Sequence, residues 1–177
     1  MSDLDQSVHG WQRDICTLFL DKNINQVTYV PDGGHRGLIQ LCQNTSAIQT
    51  TVLTSEQEGI SFLSGAWLGG ARGALLMQSS GVGNCVNLLT LVENCRIPLL
   101  MLVTMRGEWG EFVPWQVPMG QRTQKALELM NTDVYRVESA SEVQPTVSSC
   151  IDHCYNSNRA VAVLISQKLI GTKNWNQ

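Results

Sequence analysis

Glu56 is the residue whose type and position in this chain most invite chemistry. It stands in Thr54–Gly70 (TSEQEGISFLSGAWLGG), directly behind a short apolar strand. Ser55 and Glu58 have the three-residue spacing of a capping box, in which Glu58 reaches back to the Ser55 amide. Glu58 therefore has a structural task. Glu56 has none of that kind, yet it shares helical spacing with Ile60, Leu63 and Trp67. A carboxylate on the apolar side of a helix, at the carboxyl end of a strand, stands where open α/β sheets bind ligands. It equally suits a first-turn acid that complements the helix dipole, and the stretch alone leaves both readings open.

Other groups fall at comparable places. Ser79–Asn84 (SSGVGN) lies between a strand and a helix, where backbone amides can meet an anion. Its spacing is neither the dinucleotide fingerprint nor a P-loop, so a tight turn needing small residues explains it equally well. Arg36 and Arg106 are cations suited to a carboxylate, sulfonate or phosphonate, or else surface residues. His35 follows a Gly-Gly turn and reads as a proton carrier or as an ordinary helix start. No Ser-His-Asp order, HExxH or CxxC pair points to another chemistry. Cys150, His153 and Cys154 lie in a helical stretch without a second ligand pair, which argues against zinc.

The elements that must position these residues follow from periodicity. Asp3 to Leu20 carries Val8, Trp11, Ile15, Leu18 and Phe19 at helical spacing. Strands are expected at Gln26–Val30, Thr50–Thr54, Gly73–Gln78, Ile97–Val103, Asp133–Val137 and Ala160–Ile165. Helices alternate with them, the last running from Ser141 to Asn158. Residues 104–122 break the pattern with two tryptophans, Phe112 and two prolines, too apolar for a solvated linker. Six strands alternating with helices imply an α/β fold, a doubly wound and mainly parallel sheet with helices on both faces. The turns after strands one to four then gather His35, Arg36, Glu56, Ser79–Asn84 and Arg106 around one crevice.

Composition narrows the field. At 177 residues the chain suits a single domain and is too short for two ordinary ones. Charged residues make up 15%, against roughly 25% in typical soluble domains, which points to a surface covered by a permanent partner. The net charge of −3 and the lack of a basic cluster exclude a nucleic-acid binder, and apolar runs of strand length exclude a membrane span. The polar, acidic start is no secretory signal, so the six scattered cysteines read as reduced thiols of a cytoplasmic protein.

The succession YVPDGG, TSEQEGISFLSGAW, LLMQSSGVGN, IPLLMLVTMRG and WQVPMGQ resembles the pyrimidine-binding domain of thiamine-diphosphate-dependent decarboxylases. Within that family it is most similar to the alpha-subunit branch of sulfopyruvate decarboxylases, with phosphonopyruvate decarboxylases close behind. The resemblance covers about residues 26–165 in order and almost without gaps. It implies that a glutamate opening the helix after strand two bonds N1′ of the cofactor's aminopyrimidine. That bond promotes loss of the thiazolium C2 proton, and the cofactor then serves as electron sink while CO₂ leaves a 2-oxo acid. Aligning Gly65 with the glycine later in the family helix puts Glu56 on this position, with Glu58 in reserve.

The resemblance also implies cofactor contacts from Pro31, Gly33, Ser80, Gly81, Gly83 and Asn84. It implies substrate contacts from Arg36, Arg106 and Gln116, and a second catalytic role for His35. The Gly-Asp-Gly segment followed by asparagines, by which the family's other domain holds diphosphate through Mg²⁺, has no counterpart here. The whole chain, residues 1–177, thus reads as one pyrimidine-binding domain in a hetero-oligomer. A beta-type subunit is expected to supply diphosphate and metal binding, with a small anionic 2-oxo acid as substrate: sulfopyruvate first, phosphonopyruvate or another anionic 2-oxo acid as the alternative. A non-catalytic binding or regulatory module on the same fold is the reading from another class.

Overall fold

The apolar runs GALLMQ, LLMLVT and AVAVLI become the three central strands of one six-stranded parallel sheet. The computed structural model describes residues 10–171. In chain order they form α1 (Gly10–Asp21), β1 (Ile24–Tyr29), α2 (Arg36–Gln43), β2 (Gln49–Val52), α3 (Glu56–Leu68) and β3 (Arg72–Gln78). A 3₁₀ turn at Ser79–Gly81 leads into α4 (Val82–Cys85), α5 (Leu89–Cys95) and β4 (Leu99–Thr104). After an irregular loop and a second 3₁₀ turn come α6 (Val117–Gly120), α7 (Thr123–Leu129), β5 (Asp133–Val137), α8 (Ala140–Ser157), β6 (Ala160–Ile165) and α9 (Gln167–Ile170). The sheet order is β2-β1-β3-β4-β6-β5, every pair parallel, as the alternation predicts.

Period-two burial assigns the two sides of the sheet to two cores. On β3, Ala74 and Leu76 join one layer while Leu75 and Met77 join the other, and β4 and β6 alternate likewise. The first layer holds Trp11, Ile15 and Phe19 of α1, Leu38 of α2, and Val143, Val147 and Ile151 of α8. The second holds Ile60 and Leu63 of α3, Val82 of α4, Leu89 and Val92 of α5, and Leu127 of α7. A strand covered on both faces has no polar face to show, which is why these runs are apolar without a break.

Boundaries differ from the sequence expectation in physically legible ways. β2 starts one residue earlier than expected and is only four residues long, because it is a half-exposed edge strand. Pro98 lies just outside β4 instead of at its start, so the strand loses no amide donor. α8 is capped at Ser139, with Glu142 completing a capping box, and not at Ser141. The expected first helix begins within residues 1–9, so its opening and Val8 lie outside the described residues. No described helix is long and apolar enough to cross a membrane.

Leu76 has no exposed surface at the centre of β3, whereas Leu68 at the end of α3 is 79% exposed. Leu76→Ala is expected to lower unfolding free energy by about 2–5 kcal/mol. Leu68→Ala should stay within about 0.5 kcal/mol, both read from urea denaturation.

Candidate functional site

The sheet order reverses direction at β1 and β3. These strands are neighbours in the sheet, yet from β1 the chain moves outward to β2 and from β3 it moves the other way to β4. The crevice at their carboxyl ends is where such sheets bind ligands. Asp32, just past β1, ties three strand ends together there. Its Oδ2 accepts from the Thr104 hydroxyl at 2.5 Å and from the amides of Gly34 and His35 at 3.1 and 3.3 Å. Its Oδ1 accepts from Gln78 Nε2 at 3.3 Å. Gln78 Oε1 in turn accepts from Gln116 Nε2 at 2.9 Å and from the Ser80 hydroxyl at 3.2 Å.

Glu56 opens α3 and is only 9% exposed. Its Oε2 accepts from Asn84 Nδ2 at 2.9 Å. Its other oxygen lies against the backbone of Gly81, so close that a Cβ built there would stand 2.2 Å from Oε1. Any side chain at position 81 would evict the carboxylate, and this contact explains one glycine of SSGVGN. Gly83 has no comparable constraint, since a Cβ there would meet Met119 Sδ at an ordinary 3.6 Å. Pro31 and Gly33 are exposed beside the crevice.

Glu58 has the structural task expected of it, through a different partner. Its Oε2 takes the amide and hydroxyl of Thr54, each at 2.9 Å, and these bonds hold its carboxyl below the usual range. The Ser55 side chain makes no cap hydrogen bond, so the reciprocal box does not form.

Two of the expected site residues are buried. His35 is fully buried, and its Nε2 donates to the Leu102 carbonyl at 2.9 Å. Burial pushes its pKa down, and Nδ1 has no partner. The ring thus lies beneath the strand ends, away from solvent. Arg106 is buried and gives its Nε and Nη2 to both carboxylate oxygens of Glu111, each at 2.6 Å. Its charge is spent inside the loop, and an anionic substrate would have to break a bidentate pair to reach it.

The same carboxylate organises that loop. Glu111 also accepts from the amides of Gly107 and Val113 and from Gln167 Nε2. Glu108 Oε1 accepts from Arg136, Ser166 and the Gln167 amide. So the aperiodic stretch is firmly pinned while holding Trp109, Phe112 and Trp115 at 47%, 50% and 69% exposure. Gln116 is buried, and its Oε1 has no partner. Arg36 is exposed and lines a cavity of about 370 Å³ with Tyr29, Pro31, Asp32, Gly33 and Gln40. Sequence reasoning missed Gln78 and Thr104 as site residues, although both end strands whose carboxyl edges were expected to form the crevice. Among the described residues no group of histidine, cysteine or acidic side chains is placed to hold a metal ion. Cys150 and Cys154 are buried, and His153 bonds Asp133 at 2.8 Å.

No family model matches the chain. Over 147 residues it is 34% identical to sulfopyruvate decarboxylase subunit alpha of Methanococcus maripaludis, covering 82% of this chain and 88% of that one. The chain belongs to the sulfopyruvate decarboxylase alpha-subunit family. It is thus a member of a family of carboxy-lyases, and the relative it matches over nearly its full length is named as a subunit. Two longer relatives add perspective. A sulfopyruvate decarboxylase of Methanosarcina acetivorans is 32% identical over 66% of this chain but only 30% of its own length. A phosphonopyruvate decarboxylase of Streptomyces viridochromogenes is 28% identical over 87% of this chain and 40% of its own. What is nearly a whole chain in the alpha subunit is a minor part of these polypeptides.

The Arg106 guanidinium is the main cause that holds the Glu111 pKa down to about 2, well below its unfolded value of about 4.3. A depressed carboxylate stabilises the fold fully above the unfolded value and loses that contribution as pH falls through the folded one. Glu111→Gln should therefore be less stable than the wild type at pH 7, with the gap closing between about pH 4.3 and pH 2. Urea midpoints across that window check it, and a gap independent of pH would contradict it.

Proposed function

We propose that this chain is the pyrimidine-binding subunit of a thiamine-diphosphate- and Mg²⁺-dependent decarboxylase acting on sulfopyruvate. The observation that carries the reading is the setting of Glu56: a buried carboxylate at the sheet's switch point, with one oxygen held by Asn84 and the other pressed on a glycine. A buried carboxylate with a single hydrogen bond is under-partnered, and a ring nitrogen arriving from the crevice would complete it. The residues present fit the aminopyrimidine end of the cofactor. When bound, thiamine diphosphate supplies the electron sink that lets CO₂ leave a 2-oxo acid.

The roles of this chain's own residues follow. Glu56 holds or shares a proton at N1′ of the ring. Gly81 gives its carboxylate room, and Ser80 lines the same turn. Asp32, Gln78, Thr104 and Gln116 keep the ends of β1, β3 and β4 together beneath the substrate. Arg36, a cation without an ion-pair partner among the described residues, meets the acid group of the substrate. Arg106 braces the loop.

Diphosphate and Mg²⁺ fall to a beta-type subunit. The matched segment occupies only 30–40% of the longer relatives, whose remaining length lies outside the match. The pinned aromatic loop offers that partner an apolar face, and burying Trp109, Phe112 and Trp115 there would remove the largest exposed rings of the loop from water. All six cysteines are free and five are buried, consistent with a cytoplasmic complex.

The test is CO₂ release by the chain assembled with its cognate partner, cofactor and Mg²⁺. Sulfopyruvate should be preferred to phosphonopyruvate, and Glu56→Gln should lose about 10²- to 10⁴-fold in rate. Preference for the phosphonate would overturn the substrate, in keeping with the Streptomyces relative. Full activity of Glu56→Gln would leave the chain a non-catalytic module.

A further inference from the structure

We infer that Asn84 is a positioning residue that decides which oxygen of Glu56 faces the cofactor. The inference rests on the functional reading above and deepens it. Asn84 Nδ2 donates to Oε2 at 2.9 Å, and a donor at one carboxylate oxygen draws negative charge to that oxygen. Oε1 carries no hydrogen bond among the described residues and lies against Gly81, where a Cβ would approach to 2.2 Å. The carboxylate is thus gripped on two sides. Oε2 is committed, and Oε1 is the atom left to share a proton with a ring nitrogen.

Gly81 and Asn84 are three residues apart, which puts them on one side of the turn that opens α4. Cys85 strengthens that turn by donating its thiol to the Gly81 carbonyl at 3.6 Å. The glycine provides space and the asparagine provides direction, so SSGVGN serves Glu56 and is not a cradle for an anion. Asn84 itself is exposed on this chain and belongs to neither core layer. Replacing it therefore disturbs the carboxylate without opening the fold.

The experiment uses the assembled complex loaded with thiamine diphosphate and Mg²⁺, without substrate. Exchange of the cofactor's C2 hydrogen for deuterium is followed by acid quench and NMR, and cofactor Kd is measured by titration. Asn84→Ala should slow exchange about 10- to 100-fold, the worth of one hydrogen bond to a charged group, while Kd and the urea midpoint stay near wild type. Asn84→Asp keeps the shape but loses the donor, so it should be at least as slow as Asn84→Ala. Wild-type exchange in Asn84→Ala, or rescue by Asn84→Asp, would overturn the assignment. A wild-type complex that holds no cofactor would overturn the functional reading and this assignment with it, whereas a loaded complex indifferent to Asn84 would overturn this assignment alone.

Discussion

The carboxylate of Glu56 occupies space that any residue but glycine would fill at position 81, and the site is built outward from that contact. The first turn of α3 must lie against the turn that leaves β3 for the contact to exist. A parallel sheet in which β2 feeds α3 and β3 feeds the next turn brings the two together at the same edge. Behind them the second core layer, with Ile60, Leu63 and Val82, holds α3 and α4 against the sheet. Burying a carboxylate is costly unless it is partnered, and Asn84 supplies one hydrogen bond where a carboxylate can accept several. Under the proposed function a ring nitrogen of the cofactor makes up the shortfall.

Charge around the crevice is arranged with equal economy. Glu111 neutralises Arg106 and uses the remaining lone pairs of its carboxylate to fasten the loop after β4. Breaking such a pair by removing one partner leaves a buried charge alone, which is costly. That hydrogen-bonded loop presents tryptophan and phenylalanine rings to the outside, an arrangement that suits a surface awaiting another polypeptide better than one meeting water. The low charge content of the chain agrees with it.

The fold was legible in the sequence wherever both faces of a strand are covered. GALLMQ, IPLLMLV and AVAVLI could be read because β3, β4 and β6 sit between two core layers and tolerate no polar face. β2 was shifted because an exposed edge strand of four residues carries little pattern. The burial of Glu56 was legible from its helical register with Ile60 and Leu63, and Glu58 makes its own bonds to Thr54. What failed to show was non-local or aperiodic. The Arg106–Glu111 pair forms across an irregular loop, so the arginine looked free. His35 follows a turn that would ordinarily lie at the surface, but Asp32 takes its amide and the ring folds under β4. The network from Asp32 through Gln78 to Gln116 joins residues 38 and 46 positions apart, beyond any spacing rule.

The most direct test is a structure of the assembled complex with thiamine diphosphate and Mg²⁺ bound. Glu56 Oε1 should lie about 2.7 Å from N1′ of the aminopyrimidine, at a junction closed by the partner subunit. A cofactor bound elsewhere, or Glu56 facing bulk water away from any subunit contact, would contradict the account.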